Sequence, residues 1–396
     1  MPNQTSQPNK YSITAKEYSN LGPEERKQWS PVKEKYEKVP LFCKISLIIT
    51  VFCAIVYVIA CISDTFADFF NVYISSIFRF AFAKISNIFP FSFAEFIIVS
   101  LPILLFLVLW YLLKFRCDTK KSSKVSLLCI LSSLSLLLSC FVLTFATGYR
   151  GSPLSDKLGI EKEDVSTEEL YNASKYLSER INELSNQIDY RENSFSTMPY
   201  DFYTMNSKLI ESYDKFCDGH GFINNFSSRL KPIILSEAMS YTHITGVYTF
   251  FTGEANVNIN FPDYTIPFTS AHELAHQRGI SREDEANMIA FLVCAESDDI
   301  YLRYSAYMNM YGYVANALYK ADKQLYFEIA ETLDVDVRLE QIAYNDFFDK
   351  YEGSSASVVT GTINDVYLKG QGTKGKQSYG MVVDLTVAYL KSQNLI

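Results

Sequence analysis

Three long apolar runs in the first part of the chain constrain its fold more than any other feature. Residues 41–62 carry one charge, Lys44, near their start; residues 93–113 carry only Glu95, near their entry; residues 125–147 carry none. A helix rises about 1.5 Å per residue, so each run is long enough to cross a hydrocarbon layer roughly 30 Å thick. Lys44 stands close enough to an end to reach the headgroups with its long side chain. The chain therefore reads as three membrane spans with a lipid bilayer as partner.

Lys and Arg in the short flanks set the orientation. The tail before the first span carries Lys10, Lys16, Arg26, Lys27, Lys33, Lys35 and Lys38, and the second link carries Lys114, Arg116, Lys120, Lys121 and Lys124. The longer first link carries only Arg79 and Lys84. Positive flanks stay inside, so the tail is expected in the cytoplasm and everything after Thr147 outside it. The aromatic stretch at 66–89 holds Asp68, Arg79 and Lys84. Those charges argue against a fourth span, and the stretch reads as an interfacial helix or hairpin on the outer face. Residues 1–40 are polar, without apolar periodicity, and read as a disordered tail. No small-residue cleavage site follows a short apolar core, so no cleaved signal peptide is expected.

Residues 148–396 form the expected outer domain, α+β and mainly α. An apolar share of 48% over 396 residues supports a substantial core, and a net charge of −8 excludes nucleic acid as a partner. Thr167 is positioned to cap a helix over 167–191, with a second helix near 203–217. Residues 233–235, 243–252 and 255–261 are β-branched and aromatic, and read as strands of a small sheet. Helices follow at 300–319, 325–351 and 381–390. Residues 353–380 are rich in Gly, Ser and Lys and read as a mobile loop over the cleft. Gly370 to Gly375 lack phosphate-loop spacing. Cys117 falls just on the inner side of the membrane, so on the outer side Cys217 and Cys294 are the pair that can form a disulfide, or remain buried thiols.

The chemistry concentrates at His272-Glu273-Leu274-Ala275-His276, an H-E-x-x-H pattern. Residues four apart share one helix face, so His272 and His276 can present two imidazoles to one Zn²⁺. Glu273 is offset from that pair and can reach a water rather than the metal, which suits a general base. Gly279 can end the helix in a left-handed turn, and a second helix can start from Ser281 as its N-cap. That helix offers Glu283 as third ligand, with Asn287 one turn on to orient a His ring. Glu285 is the alternative third ligand, about 200° away around the helix.

These residues resemble the gluzincin zinc metallopeptidases. More narrowly, residues 41–390 are similar to a bacterial group known as the domain of unknown function 3810, in which membrane helices precede an H-E-L-A-H-Q domain. In gluzincins the third ligand is a Glu with Asp or Asn four residues on, as Glu283 and Asn287 stand here. Glu283 follows His276 by seven positions, a shorter spacing than in most gluzincins, and Arg282 stands where a metzincin would have its third His. The resemblance implies a zincin-like domain. It also implies a strand at 255–260 on the sheet edge, pairing with substrate backbone, although an ordinary internal strand has the same pattern.

Peptide hydrolysis also needs a donor to the developing oxyanion. Tyr304, Tyr307, Arg303 and His243 are candidates, but each reads more readily as a packed core residue, and none is assigned the role. The expected protein is a membrane-anchored zinc metallopeptidase with a peptide or protein substrate at the cell envelope and Glu273 as base. The alternative is a non-catalytic zinc-binding sensor or scaffold. A metal-binding site in the polar segment around 272–287 is expected beyond the membrane surface, away from the spans. Nothing in the sequence gives the oligomeric state.

Overall fold

The computed structural model describes residues 11–13, 15–27, 29–31, 39–115, 120–192 and 194–396. The described part is mainly helical, with one three-stranded sheet. The tail, read as disordered, lies in part outside the described set, which omits residues 1–10 and 32–38. Within it, Tyr11–Ile13 pairs in parallel with Trp29–Pro31.

The apolar runs form the helices Leu41–Ile62, Phe93–Phe115 and Lys120–Thr144. Their stretches Leu41–Ile62, Phe93–Trp110 and Leu127–Thr144 are long and apolar enough to cross a membrane, and protein buries only 22, 6 and 17% of them. Exposed aliphatic surface on that scale suits lipid, not water. The first and third helices pack through small polar contacts: Ser46 Oγ donates to the Ser132 carbonyl at 2.8 Å, and Ser139 Oγ to Thr50 Oγ1 at 3.3 Å. The third helix stops at Thr144, short of the expected 147. Phe145 leaves helical geometry (φ −140°, ψ −44°), and Ala146–Arg150 forms a tight 3₁₀ turn.

The aromatic stretch is helical from Asp64–Phe69 through a π-helical turn at Phe70–Ser75 to Ser76–Ser86, capped where Ser63 Oγ accepts from Phe66 N at 3.2 Å. Its three charges all reach the C-terminal domain. Asp68 pairs with Lys157 at 2.9 Å, Lys84 donates to the Ser227 carbonyl at 3.0 Å, and Arg79 is fully buried. The charges that argue against a span are thus the ones that dock this helix.

The C-terminal domain wraps a long helix, Ile300–Ala321, with Thr167–Ser185 against it. Leu170, Leu177 and Ile181 from one meet Tyr304, Tyr311 and Leu318 from the other in the core. Thr167–Ser185 is capped by Ser166, not Thr167: Ser166 and Glu169 form a reciprocal capping box. The other expected helices are Phe202–Gly219, Lys323–Thr332, Val335–Asp349 and Val382–Ser392. Residues 353–380, read as a loop, instead hold the helix Ser355–Gly370, capped by Ser354. Its Gly and Ser content masked a run with helix-forming aliphatic spacing. Cys217 and Cys294 are separate buried thiols, not a disulfide.

The strands are shorter than the sequence suggests: Lys231–Pro232, Gly246–Thr249 and Glu254–Val257. Glu254–Val257 is the fully buried middle strand, parallel to Lys231–Pro232 and antiparallel to Gly246–Thr249, with Gly246 opposite Val257. The strand expected at the edge is therefore internal, and Gly246–Thr249 holds the edge. Beyond Pro232 the chain turns to the second span, where the Glu95 carboxylate accepts from Ile234 N and Leu235 N at 3.0 and 2.8 Å. Glu254 in turn accepts from the first backbone N–H groups of that span, Phe93 N and Ala94 N, at 3.0 and 2.8 Å. Sheet and span ends are built together.

Candidate metal centre

The H-E-x-x-H motif lies on the helix Thr265–Gln277, buried along its whole length. Tyr213 Oη donates to the Ala271 carbonyl at 2.5 Å, and Arg278 at the helix end stacks over the Tyr213 ring at 4.3 Å. A cation at a helix C-terminus is favoured by the aligned peptide dipoles. Gly279 reverses the chain with φ +103°, a conformation suited to Gly, and Glu283–Ala295 begins the next helix. Its N-cap is Arg282, without a side-chain bond. Ser281 does not cap: its hydroxyl donates to the Phe145 carbonyl at 2.8 Å.

This reversal brings His272, His276 and Glu283 together, with one ligand atom from each lying within 4.8 Å of the others. Both Nε2 atoms face Glu283 Oε2, at 3.2 Å from His272 and 3.4 Å from His276. The outer nitrogens are fixed. His272 Nδ1 donates to Asn287 Oδ1 at 2.8 Å, and His276 Nδ1 to the Ile280 carbonyl at 2.7 Å. Such bonds set the tautomer that leaves Nε2 free to ligate. Two imidazole nitrogens and one carboxylate oxygen converging on a point fit Zn²⁺.

Charge within the cluster is strongly coupled. Burial works against a charged His276 ring, but the Glu283 carboxylate outweighs it and pushes the ring up to about 9. Burial likewise opposes the charged Glu283, and the two rings hold it well below the usual carboxylate range. A divalent cation would displace the proton, because a ligating ring must be neutral.

Glu273 is buried beside the cluster. Burial pushes its carboxyl up to about 6, against the two His rings that favour its charge. Its Oε2 has no hydrogen-bond partner. Its other face packs on the edge strand, where a Cβ on Gly246 would lie 2.6 Å from Oε1 and 2.7 Å from Cγ. Gly246 is thus the seat of the Glu273 side chain. Gly246→Ala is expected to push Glu273 aside at a stability cost of about 1–3 kcal/mol. Thermal unfolding of the full-length protein in detergent reads that cost.

Glu285 lies elsewhere. Its Oε1 accepts from Leu154 N and from Arg282 Nη1, both at 2.9 Å, anchoring the linker after the third span. Three of the other candidates are engaged elsewhere: Tyr304 Oη donates to Glu340 Oε2 at 2.5 Å, Tyr307 packs edge-on to Phe291, and His243 Nε2 bonds the Tyr351 carbonyl at 2.9 Å. The Nε of Arg303 is buried without a hydrogen-bond partner. The tyrosines that sense Glu283 are Tyr313 and Tyr367, both pushed up to about 12 by burial first and by the Glu283 charge. Tyr313 Oη accepts from Asn287 Nδ2 at 3.4 Å, and Tyr367 Oη lies 3.2 Å from Tyr149 Oη. No sequence signal marks either, because each reaches the cluster from a distant helix.

The cluster also sits closer to the spans than expected. The Phe145 ring, next after the last residue of the third span, packs edge-on to His276 at 5.5 Å. Distance along the chain concealed this contact.

No curated protein and no solved structure matches the chain. A profile of the family described as a protein of unknown function, DUF3810, matches residues 66–387, from the docked aromatic helix through the motif to the last helix. The chain belongs to the DUF3810 family.

Proposed function

We propose that the protein is a membrane-anchored zinc metallopeptidase of gluzincin type, with a zincin-like domain outside the cytoplasm. The observation that carries this is the pairing of a His272–His276–Glu283 cluster with a buried Glu273 whose Oε2 is unpartnered. A purely structural site has no use for a free carboxylate there. A zinc ion held by His272, His276 and Glu283 supplies Lewis acidity and an acidified water.

Glu273 would accept a proton from the water that adds to the scissile carbonyl, then return it to the leaving amine as the peptide bond breaks. Its carboxyl, buried beside the two rings with Oε2 unpartnered, is placed to act in both directions. Asn287 and the Ile280 carbonyl hold the two rings in register. Gly246–Thr249 is an outer strand of the sheet beside Glu273, and we assign it the pairing with an extended substrate. Tyr313 and Tyr367 are protonated hydroxyls on the Glu283 side, suited to donate to an oxygen gaining charge. The substrate class is a peptide or protein at the cell envelope.

Full-length protein in detergent, loaded with zinc, is expected to cleave members of a quenched fluorogenic peptide library. A chelator is expected to stop cleavage and added zinc to restore it. Folded, zinc-loaded protein that cleaves nothing, including peptides tethered to lipid, would overturn the reading.

A further inference from the structure

The helix Ser355–Gly370 has two unlike faces. At about 100° per residue, Val358, Val359, Ile363 and Val366 fall within roughly 140° of one another. All four point away from the protein, exposed by 65, 55, 64 and 65%. The opposite face is docked: Leu368 is fully buried, Thr360 Oγ1 donates to the Thr242 carbonyl at 3.2 Å, and Tyr367 turns inward. Four exposed aliphatic side chains on one outer helix face, with Thr362 and Lys369 among them, are unfavourable in water.

What covers that stripe follows from where the helix is tied. The Tyr367 ring packs edge-on to Phe141 at 6.1 Å. Phe141 belongs to the third span, three residues before its end at Thr144, and so about 4.5 Å inside it. The turn joining the two longer strands reaches the same level, where Phe250 packs on Phe141 at 5.1 Å and its carbonyl accepts from Thr144 Oγ1 at 3.3 Å. Arg150, beside Gly372, donates to Tyr57 Oη of the first span at 2.7 Å. The helix is therefore held at the depth where the span ends.

We infer that Ser355–Gly370 is an interfacial membrane helix whose aliphatic face, Val358, Val359, Ile363 and Val366, inserts into the bilayer boundary. Its partner is lipid, and the surface is continuous with the exposed flank of the spans. The inserted helix also holds Tyr367 beside the metal cluster, so bilayer contact and the candidate site share one element. The inference rests on the spanning reading of the three apolar helices, not on peptidase chemistry.

The chain's two native tryptophans provide the control. Trp110 lies in the second span, and Trp29 in the tail. Three single-tryptophan proteins would be placed in lipid nanodiscs: Trp29→Phe alone, which retains Trp110, and Val359→Trp and Ile363→Trp, each with Trp29→Phe and Trp110→Phe. Both new positions are exposed, so neither substitution disturbs packing. With phosphatidylcholine brominated on the upper acyl chain, both new tryptophans are expected to emit blue-shifted and to lose intensity, as Trp110 does. Unquenched, water-like emission at 359 and 363 beside a quenched Trp110 would overturn the inference. Blue-shifted but unquenched emission would mean that protein, such as a second copy, covers the face, and would overturn it equally. An unquenched Trp110 would remove the spans, and the inference with them.

Discussion

Glu273→Gln is expected to lower peptide hydrolysis by about 100- to 10,000-fold, the range for removing a general base, while zinc per chain stays the same. Gln keeps the size of the side chain and its seat against Gly246. It loses only the capacity to accept a proton. The carboxylate does not belong to the convergent donor set of His272, His276 and Glu283, so metal content should not follow activity. Parallel measurement of hydrolysis and bound zinc separates the two roles. Retained activity would exclude Glu273 as base, and joint loss of zinc and activity would make it part of the binding site.

The second large effect is expected far from the motif in sequence. Arg79 is fully buried, with Nη1 donating to Asn71 Oδ1 and the Thr144 carbonyl at 2.8 and 2.9 Å. Its Nη2 donates to the Asn71 carbonyl and Asn224 Oδ1, both at 2.7 Å. Asn71 passes the contact on, donating to the Gly279 carbonyl at 2.8 Å at the end of the motif helix. This one side chain joins the docked aromatic helix, the end of the third span and the metal-site reversal. Arg79→Met preserves much of the volume but strips several buried acceptors of their donor. Each such loss costs about 1–3 kcal/mol, so a total of at least about 3 kcal/mol is expected. For a domain of this size that lowers Tm by roughly 6–12 °C, measured by thermal unfolding in detergent micelles. A shift within a few degrees of zero would show that the network contributes little.

What sequence reasoning could reach divides by range. The convergence of the two H-E-x-x-H histidines is visible because helix geometry acts over four residues. Gly279 announces the reversal by its own backbone freedom, and the reversal makes Glu283 and Asn287 legible as partners of His272. The apolar runs declare themselves by composition. Contacts that depend on packing between distant segments left no trace. Gly246 carries no mark of the carboxylate that rests on it, and Tyr367 sits in a Gly- and Ser-rich stretch that reads as a loop. Arg79 reads as a charge that breaks a span, whereas burial turns it into a bridge. The strand at Glu254–Val257 has the pattern of either an edge or an interior strand, and only its two neighbours decide between them.

The central claim is that His272, His276 and Glu283 hold one zinc ion. Elemental analysis of full-length protein purified in detergent tests it most directly, with wild type set against His272→Ala, Glu283→Ala and Glu285→Gln. The account expects about one zinc per chain in wild type, as a single three-ligand site requires, its loss in His272→Ala and Glu283→Ala, and its retention in Glu285→Gln. Folded wild-type protein without zinc, or zinc that survives Glu283→Ala and leaves with Glu285→Gln, would contradict it.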